Sequence, residues 1–110
     1  MSVNSISIIL PVYQDQKNLD RLLEQFRNQE KTGKWEVIVV DDGSKPPLNL
    51  GSQPAKNWQL IRNEHHQGVA VSRNRGAAQA RGEHLLFFSV FLEIPYDYLI
   101  KLQSIVQTYI

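Results

Sequence analysis

A chain of 110 residues, 42% of them hydrophobic, is long enough for one domain with a core and too short for two. It has the composition of a globular protein, not a disordered one. With 12 basic and 11 acidic residues the net charge is +1, which supplies no general attraction to nucleic acid or membrane, and the absence of cysteine excludes disulfides, thiolate catalysis and zinc–thiolate sites.

No basic-then-apolar leader with a small-residue cleavage site opens the chain. The apolar run over residues 5–12 is far too short to cross a bilayer and is interrupted by Pro11. A soluble protein, cytoplasmic or peripheral to something larger, is expected. Ile6 to Leu10 reads as a first strand whose ladder Pro11 should stop. Leu19, Leu22, Leu23 and Phe26 follow at i, i+3, i+4 and i+7, one face of a helix. Asp15 or Asn18 can cap that helix, and Lys31-Thr32-Gly33-Lys34 should break it. Glu36 to Val40 is a second strand, apolar on both faces as a buried parallel strand would be, and it runs straight into Asp41-Asp42-Gly43-Ser44.

A loop with Gly43, Pro46, Pro47, Gly51 and Pro54 comes next, then a short edge strand over Trp58–Arg62. Gly68 opens a helix over Val69–Arg81 that is rich in alanine, with Gly82 beyond its end. Gly76 in its middle lowers helix propensity but permits close packing against a strand. His84 to Phe88 is a fourth, strongly apolar strand. Pro95 suits the first turn of a last helix, on which Leu99, Leu102, Val106 and Tyr109 repeat at helical spacing beside Ile105. The order β-α-β-loop-β-α-β-α implies an α/β fold: a three-layer α/β/α sandwich around a mostly parallel, Rossmann-like sheet, formed as one domain over residues 1–110. Strands one, two and four should be buried on both faces. No Gly-rich phosphate loop follows the first strand, which argues against a P-loop enzyme and a dinucleotide-binding domain.

Four segments, in this order and spacing, resemble family 2 glycosyltransferases. Residues 7–15 look like that family's opening strand with its Pro-x-Tyr-Asn-Glu turn, here Pro11-Val12-Tyr13-Gln14-Asp15. Residues 36–44 are very similar to its second strand and Asp-Asp-Gly-Ser turn. Residues 68–77 look like its Gly-x-x-x-Ala-Arg-Asn-x-Gly helix, and residues 82–88 like the strand that leads into its metal motif. The resemblance implies the GT-A nucleotide-sugar transferase fold, here truncated to its nucleotide-binding half. It also implies a nucleotide-diphosphate sugar, of the UDP-sugar type, as ligand. In complete relatives it implies an inverting transfer to an acceptor hydroxyl, assisted by a divalent metal such as manganese or magnesium.

The chain departs from that pattern where the family has Asp-x-Asp: Ser89-Val90-Phe91 stands there instead. Neither Val nor Phe offers a side-chain oxygen to a hard cation, and Ser offers one neutral oxygen. Glu93 is the nearest acid. Set against the resemblance, the family's second half, with the acceptor pocket and the general base, is expected to lie outside these 110 residues. No catalytic and no metal-binding residue is assigned, and the isolated chain is expected to be inactive.

By resemblance, Asp42 recognises the nucleobase by accepting the ring N–H of uracil, Asp41 supports the turn or the ribose, and Pro11, Val12 and Tyr13 wall the nucleoside pocket. Taken alone, Asp-Asp-Gly-Ser is equally well a plain turn; the other three segments tip it towards binding. Asp15 can reach the ribose or cap the first helix. Arg73 and Asn74 fall on the nucleotide side, where Arg73 can offer its donor fork to a phosphate or pair with Asp41 or Asp42. Arg75 and Arg81 read as a solvated face, and His65 and His66 as a polar loop without metal-ligand spacing. Apolar Phe91, Leu92, Ile94, Val106, Tyr109 and Ile110 lack covering elements, so a homo-oligomer or a partner chain is expected. The competing reading is a degenerate, non-catalytic relative that serves assembly or regulation. A phosphoacceptor receiver fits poorly, because its acidic cluster should follow the first strand.

Overall fold

The computed structural model describes residues 5–29 and 34–109, with side chains up to residue 105. The elements are β1 (Ile6–Val12), α1 (Gln16–Arg27), β2 (Trp35–Asp41), β3 (Trp58–Arg62), α2 (Val69–Gln79), β4 (His84–Phe87) and α3 (Tyr98–Tyr109). All strand pairings are parallel, in the order β3-β2-β1-β4. One sheet face carries Ile6, Ile8, Leu10, Val12, Val37 and Val39, packed with Leu19, Leu22, Leu23 and Phe26 of α1 and Leu99 of α3. Ile9, Ile38 and Val40 form the opposite face, and α2 lies on them. Three layers result, as the alternation of elements implied.

Gly76 explains how α2 sits so close. A Cβ at this position would lie 2.5 Å from Cγ2 of Ile9 and 3.2 Å from Cγ2 of Val40. Gly76→Ala should therefore destabilise the fold by about 1–2 kcal/mol, overpacking outweighing the gain in helix propensity. Urea denaturation checks this; an unchanged or raised midpoint would mean that α2 backs off at no cost.

Several expectations are corrected. Pro11 does not stop β1, which continues to Val12 and stays in register with β2, Pro11 opposite Val40. In a parallel strand alternate residues direct their backbone groups to opposite neighbours. Val12 faces β2, where its carbonyl accepts the Asp42 N–H, and Ile9 faces β4, where its carbonyl accepts the Phe88 N–H. Pro11 therefore faces the β4 side beyond the last paired residue, Phe87, and its missing N–H costs no ladder bond. Strand β4 is not buried on both faces. It is an edge strand that α2 leaves uncovered, so Leu85 and Phe87 are 44% and 47% exposed.

Pro95 lies ahead of α3, not in its first turn; its carbonyl accepts the Tyr98 N–H. Helix α2 ends at Gln79 rather than Arg81, because Ala80 turns extended. The exposed Arg81 then donates its backbone N–H to the buried Glu36 carboxylate at 2.8 Å. Ile94 packs against the core instead of standing open, whereas Phe91 is 73% exposed. Asp15 is the cap of α1, its Oδ1 accepting the Asn18 N–H, and the helix ends at Arg27 with Asn28 as C-cap. The break expected at Lys31-Thr32-Gly33, Ile110, and the side chains of Val106 and Tyr109 lie outside the described residues.

Candidate functional site

Parallel strands bring their carboxyl ends to one rim. The chain leaves β1 through α1 on one face to reach β2, and leaves β3 through α2 on the other face to reach β4. The connections diverge between β1 and β4, which is where open α/β sheets form a ligand crevice. A crevice of about 300 Å³ lies there, lined by Pro11, Tyr13 and Asp15 after β1, Val69 and Arg73 of α2, and Ser89 and Phe91 after β4. A hollow of about 160 Å³ shares Pro11, Tyr13 and Val69 with it and adds Asp42 and His66.

Two turns build this rim and are tied to each other. Gln14 takes a left-handed conformation, φ 55°. Its N–H donates to Ser44 Oγ at 2.8 Å, and its side-chain oxygen accepts the Lys45 N–H. Asp41 holds the second turn from beneath. It is fully buried, and its carboxylate accepts the N–H groups of Ser44 and Leu48, both at 2.9 Å, and Arg62 Nη1 at 2.6 Å. Burial pushes its pKa up, but the Leu48 and Ser44 bonds and Arg62 outweigh that and leave the carboxyl below its ordinary range. Asp41 is thus an anchor of the turn with no free face towards the crevice.

Asp42 points the other way, towards the amino end of α2. Its Oδ1 accepts the Gln67 N–H and Asn63 Nδ2, both at 2.9 Å. Its Oδ2 accepts the Gly68 N–H at 3.0 Å and faces His66 Nε2 at 3.3 Å. Burial again raises the pKa and is outweighed, by Gln67, Asn63, Gly68 and the charge of His66, so this carboxyl also lies below its ordinary range. Gly43 lets the 63–68 loop come this near: it has φ 80°, and a Cβ on it would sit 2.6 Å from His65 C and His66 N.

The remaining expected residues divide. Tyr13 is 47% exposed and its ring stacks on His66, centroids 3.9 Å apart and planes 8° apart. Arg73 lies in the crevice wall with its guanidinium 5.9 Å from the Phe87 ring centre, and it pairs with neither Asp41 nor Asp42. Asp15 borders the crevice, but both its oxygens hold Asn18, one on N–H and one on Nδ2. Asn74 is exposed on α2 and is not among the residues lining the crevice. Arg75, expected on a solvated face, is exposed and also donates to the Arg62 carbonyl and to Asn63 Oδ1. Asn63, which the sequence did not single out, is fully buried and joins Asp42 to Ser72 through Nδ2. His66 was also missed: two neighbouring histidines carry no spacing signal, and only the fold brings one of them to Tyr13.

The donors do not fit the divalent ion that the resemblance implies. Val90 is buried in the core, its carbonyl accepting Arg21 Nη2, and Ser89 Oγ accepts the Phe91 N–H. Glu93 is turned to solvent, 3.9 Å from Arg21. Among the described residues no cluster of three or more His, Asp or Glu side chains is placed to hold a metal. A larger cleft of about 450 Å³ lies between α1 and residues 50–53; Asp20 and Glu24 line it, and its one cation, Arg27, is already engaged by Glu24 and the Gln53 carbonyl, a poor seat for a phosphate. Among the described residues no helix is long and apolar enough to cross a membrane.

Comparison with known proteins agrees with this architecture. The sequence profile of Glycosyl transferase family 2 matches residues 7–108. An uncharacterized glycosyltransferase of Haemophilus influenzae is 40% identical over 82 residues, which are 74% of this chain and 28% of that protein. Glycosyltransferase AglE of Haloferax volcanii is 32% identical over 87 residues, 74% of this chain and 29% of its own length. The crystal structure of S. aureus TarS 1-349 in complex with UDP superposes with a TM-score of 0.79 at 25% identity, over 94% of this chain and 32% of that one. The chain thus spans less than a third of the relatives it matches. The profile match over nearly the whole chain, the order of its segments and the shared α/β fold show that the chain belongs to glycosyl transferase family 2.

Proposed function

We propose that this chain is the nucleotide-binding part of a glycosyltransferase and that its crevice takes the nucleoside diphosphate of a UDP-type sugar donor. The observation that carries the reading is the placing of a half-exposed aromatic ring, Tyr13, beside the buried carboxylate of Asp42 at the carboxyl rim of β1 and β2. A base stacks on the ring and donates its N–H to the carboxylate; Pro11 walls the pocket. Arg73, across the crevice, faces the diphosphate. TarS 1-349, solved with UDP, supports this choice of ligand. Asp15 and Asn74 have at most a peripheral part, and Asp41 acts through the turn. Without carboxylates at residues 89–91, and with the chain matching less than a third of its relatives, no turnover is expected from it alone. The reading retains the cytoplasmic location expected from the sequence, and it places the expected partner contact on the open strip of Leu85, Phe87 and Phe91. The replacement of Asp-x-Asp by Ser89-Val90-Phe91 favours a second reading, a non-catalytic relative that binds no nucleotide.

Calorimetric titration with UDP, with and without manganese, separates the two. Binding with Kd of about 0.1–1 mM, little changed by manganese, is expected. Tyr13→Ala should weaken it roughly tenfold, the loss of one base–aromatic stack, with little change in stability because the ring is half exposed. No heat with the wild-type chain at millimolar UDP would leave the non-catalytic reading standing.

A further inference from the structure

The geometry points to His66 as an internal surrogate for the nucleobase, a side chain that fills the base position and must swing out before a nucleotide enters. This rests on the nucleotide reading above and concerns how that same site is regulated.

An ionised carboxylate has about four acceptor positions. On Asp42 the N–H groups of Gln67 and Gly68 and the amide of Asn63 hold three of them. All three donors are structural: two are backbone groups at the entrance to α2 and the third belongs to a fully buried side chain. The fourth position faces His66 Nε2 at 3.3 Å. An incoming ring N–H has only that place to go. The same imidazole lies flat on Tyr13, 3.9 Å between centroids and 8° between planes. It is a planar ring that lays one face on Tyr13 and turns one ring nitrogen towards Asp42, and so it occupies the place beside both groups proposed to hold a base.

The plug can leave without unfolding the loop. Gln67 and Gly68 are fixed by Asp42, and the backbone at His65 and His66 lies against Gly43. The His66 side chain itself is 54% exposed, so rotation about its own bonds frees the seat. With the plug closed most of the time, apparent affinity falls by the fraction of open molecules.

The test uses the 110-residue chain, UDP as probe and two measurements. Calorimetry should show His66→Ala binding UDP about tenfold more tightly than wild type, the gain when a seat open about a tenth of the time becomes always open. Equal or weaker binding overturns the proposal, weaker binding making His66 a ligand contact. In proton NMR of the free wild-type chain, the His66 ring protons should be shifted upfield by the Tyr13 ring, unlike those of His65, and saturating UDP should abolish that shift. His66 signals like those of His65 in the free chain overturn the proposal alone, whatever UDP does. A shift that persists under saturating, bound UDP also overturns it. If the shift is present but neither wild type nor His66→Ala binds UDP, the nucleotide reading itself has failed and the surrogate role goes with it.

Discussion

Asp41→Ala is expected to destabilise the chain by about 3 kcal/mol without touching any ligand. The substitution leaves the Ser44 and Leu48 N–H groups without an acceptor, at roughly 1–3 kcal/mol for each buried group. Arg62, about a third exposed, reaches water and adds little. For a domain of this size the loss corresponds to a fall in Tm on the order of 10 °C, read by circular dichroism. A change under about 1 kcal/mol would mean that the turn holds without its anchor. The pH dependence has a definite sign. The folded pKa of Asp41 and that of Asp42 both lie below the ordinary value of 3.8, so between the folded and ordinary values the unfolded chain binds more protons. Both carboxylates therefore contribute stability that is fully present above about pH 4 and is lost as pH falls through their lower folded values. Asp41→Ala should flatten the acid limb of a Tm–pH profile.

Asp42→Asn should weaken UDP binding by about ten- to a hundredfold. An asparagine keeps one acceptor oxygen and turns an NH₂ donor towards the other pair of donors. In one flip that amide faces the Gln67 N–H and Asn63, in the other the Gly68 N–H and His66. The charge-assisted bond to the base is lost, about 1.5–3 kcal/mol, and the 63–68 loop loses its purchase. Stability should fall by about 1–3 kcal/mol for the donors left unsatisfied. Tyr13→Ala serves as the control, since it weakens binding while Asp42 keeps its partners. If Asp42→Asn binds UDP within threefold of wild type, Asp42 is a turn residue only.

Among the described residues no side-chain cluster fits a divalent ion, which gives these effects their context. At residues 89–91, where the resemblance implies Asp-x-Asp, Ser89 Oγ accepts the Phe91 N–H, the Phe91 ring is exposed, and Val90 between them is drawn into the core while Arg21 holds the carbonyls of Val90 and Leu92. The segment after β4 is thus held by one buried apolar side chain, Val90, and by Arg21 on its carbonyls. Positive charge facing the crevice comes from Arg73, and that accounts for the small effect expected of manganese.

The alternation of apolar runs and helical faces was enough to determine the element order, the parallel sheet and the two-faced layering, because burial demands depend on residues close together in the chain. The Asp-Asp-Gly-Ser turn and the Pro-x-Tyr bend were legible for a related reason: their backbone chemistry is local. The resemblance already cast Asp42 as the base-facing acid and Asp41 as support of the turn or the ribose; the partners that hold each acid in place were decided by tertiary structure. Neighbouring residues point to opposite sides, and Asp42 is shaped by donors 21 to 26 residues away. The same holds for Asn63, Arg75 and His66, polar residues in a loop or on a helix whose partners exist only once β3, α2 and the turn after β2 meet. It holds too for β4, whose apolar sequence reads as buried on both faces but whose place at the sheet edge, where α2 reaches it through Arg73 over Phe87, leaves Leu85 and Phe87 about half exposed.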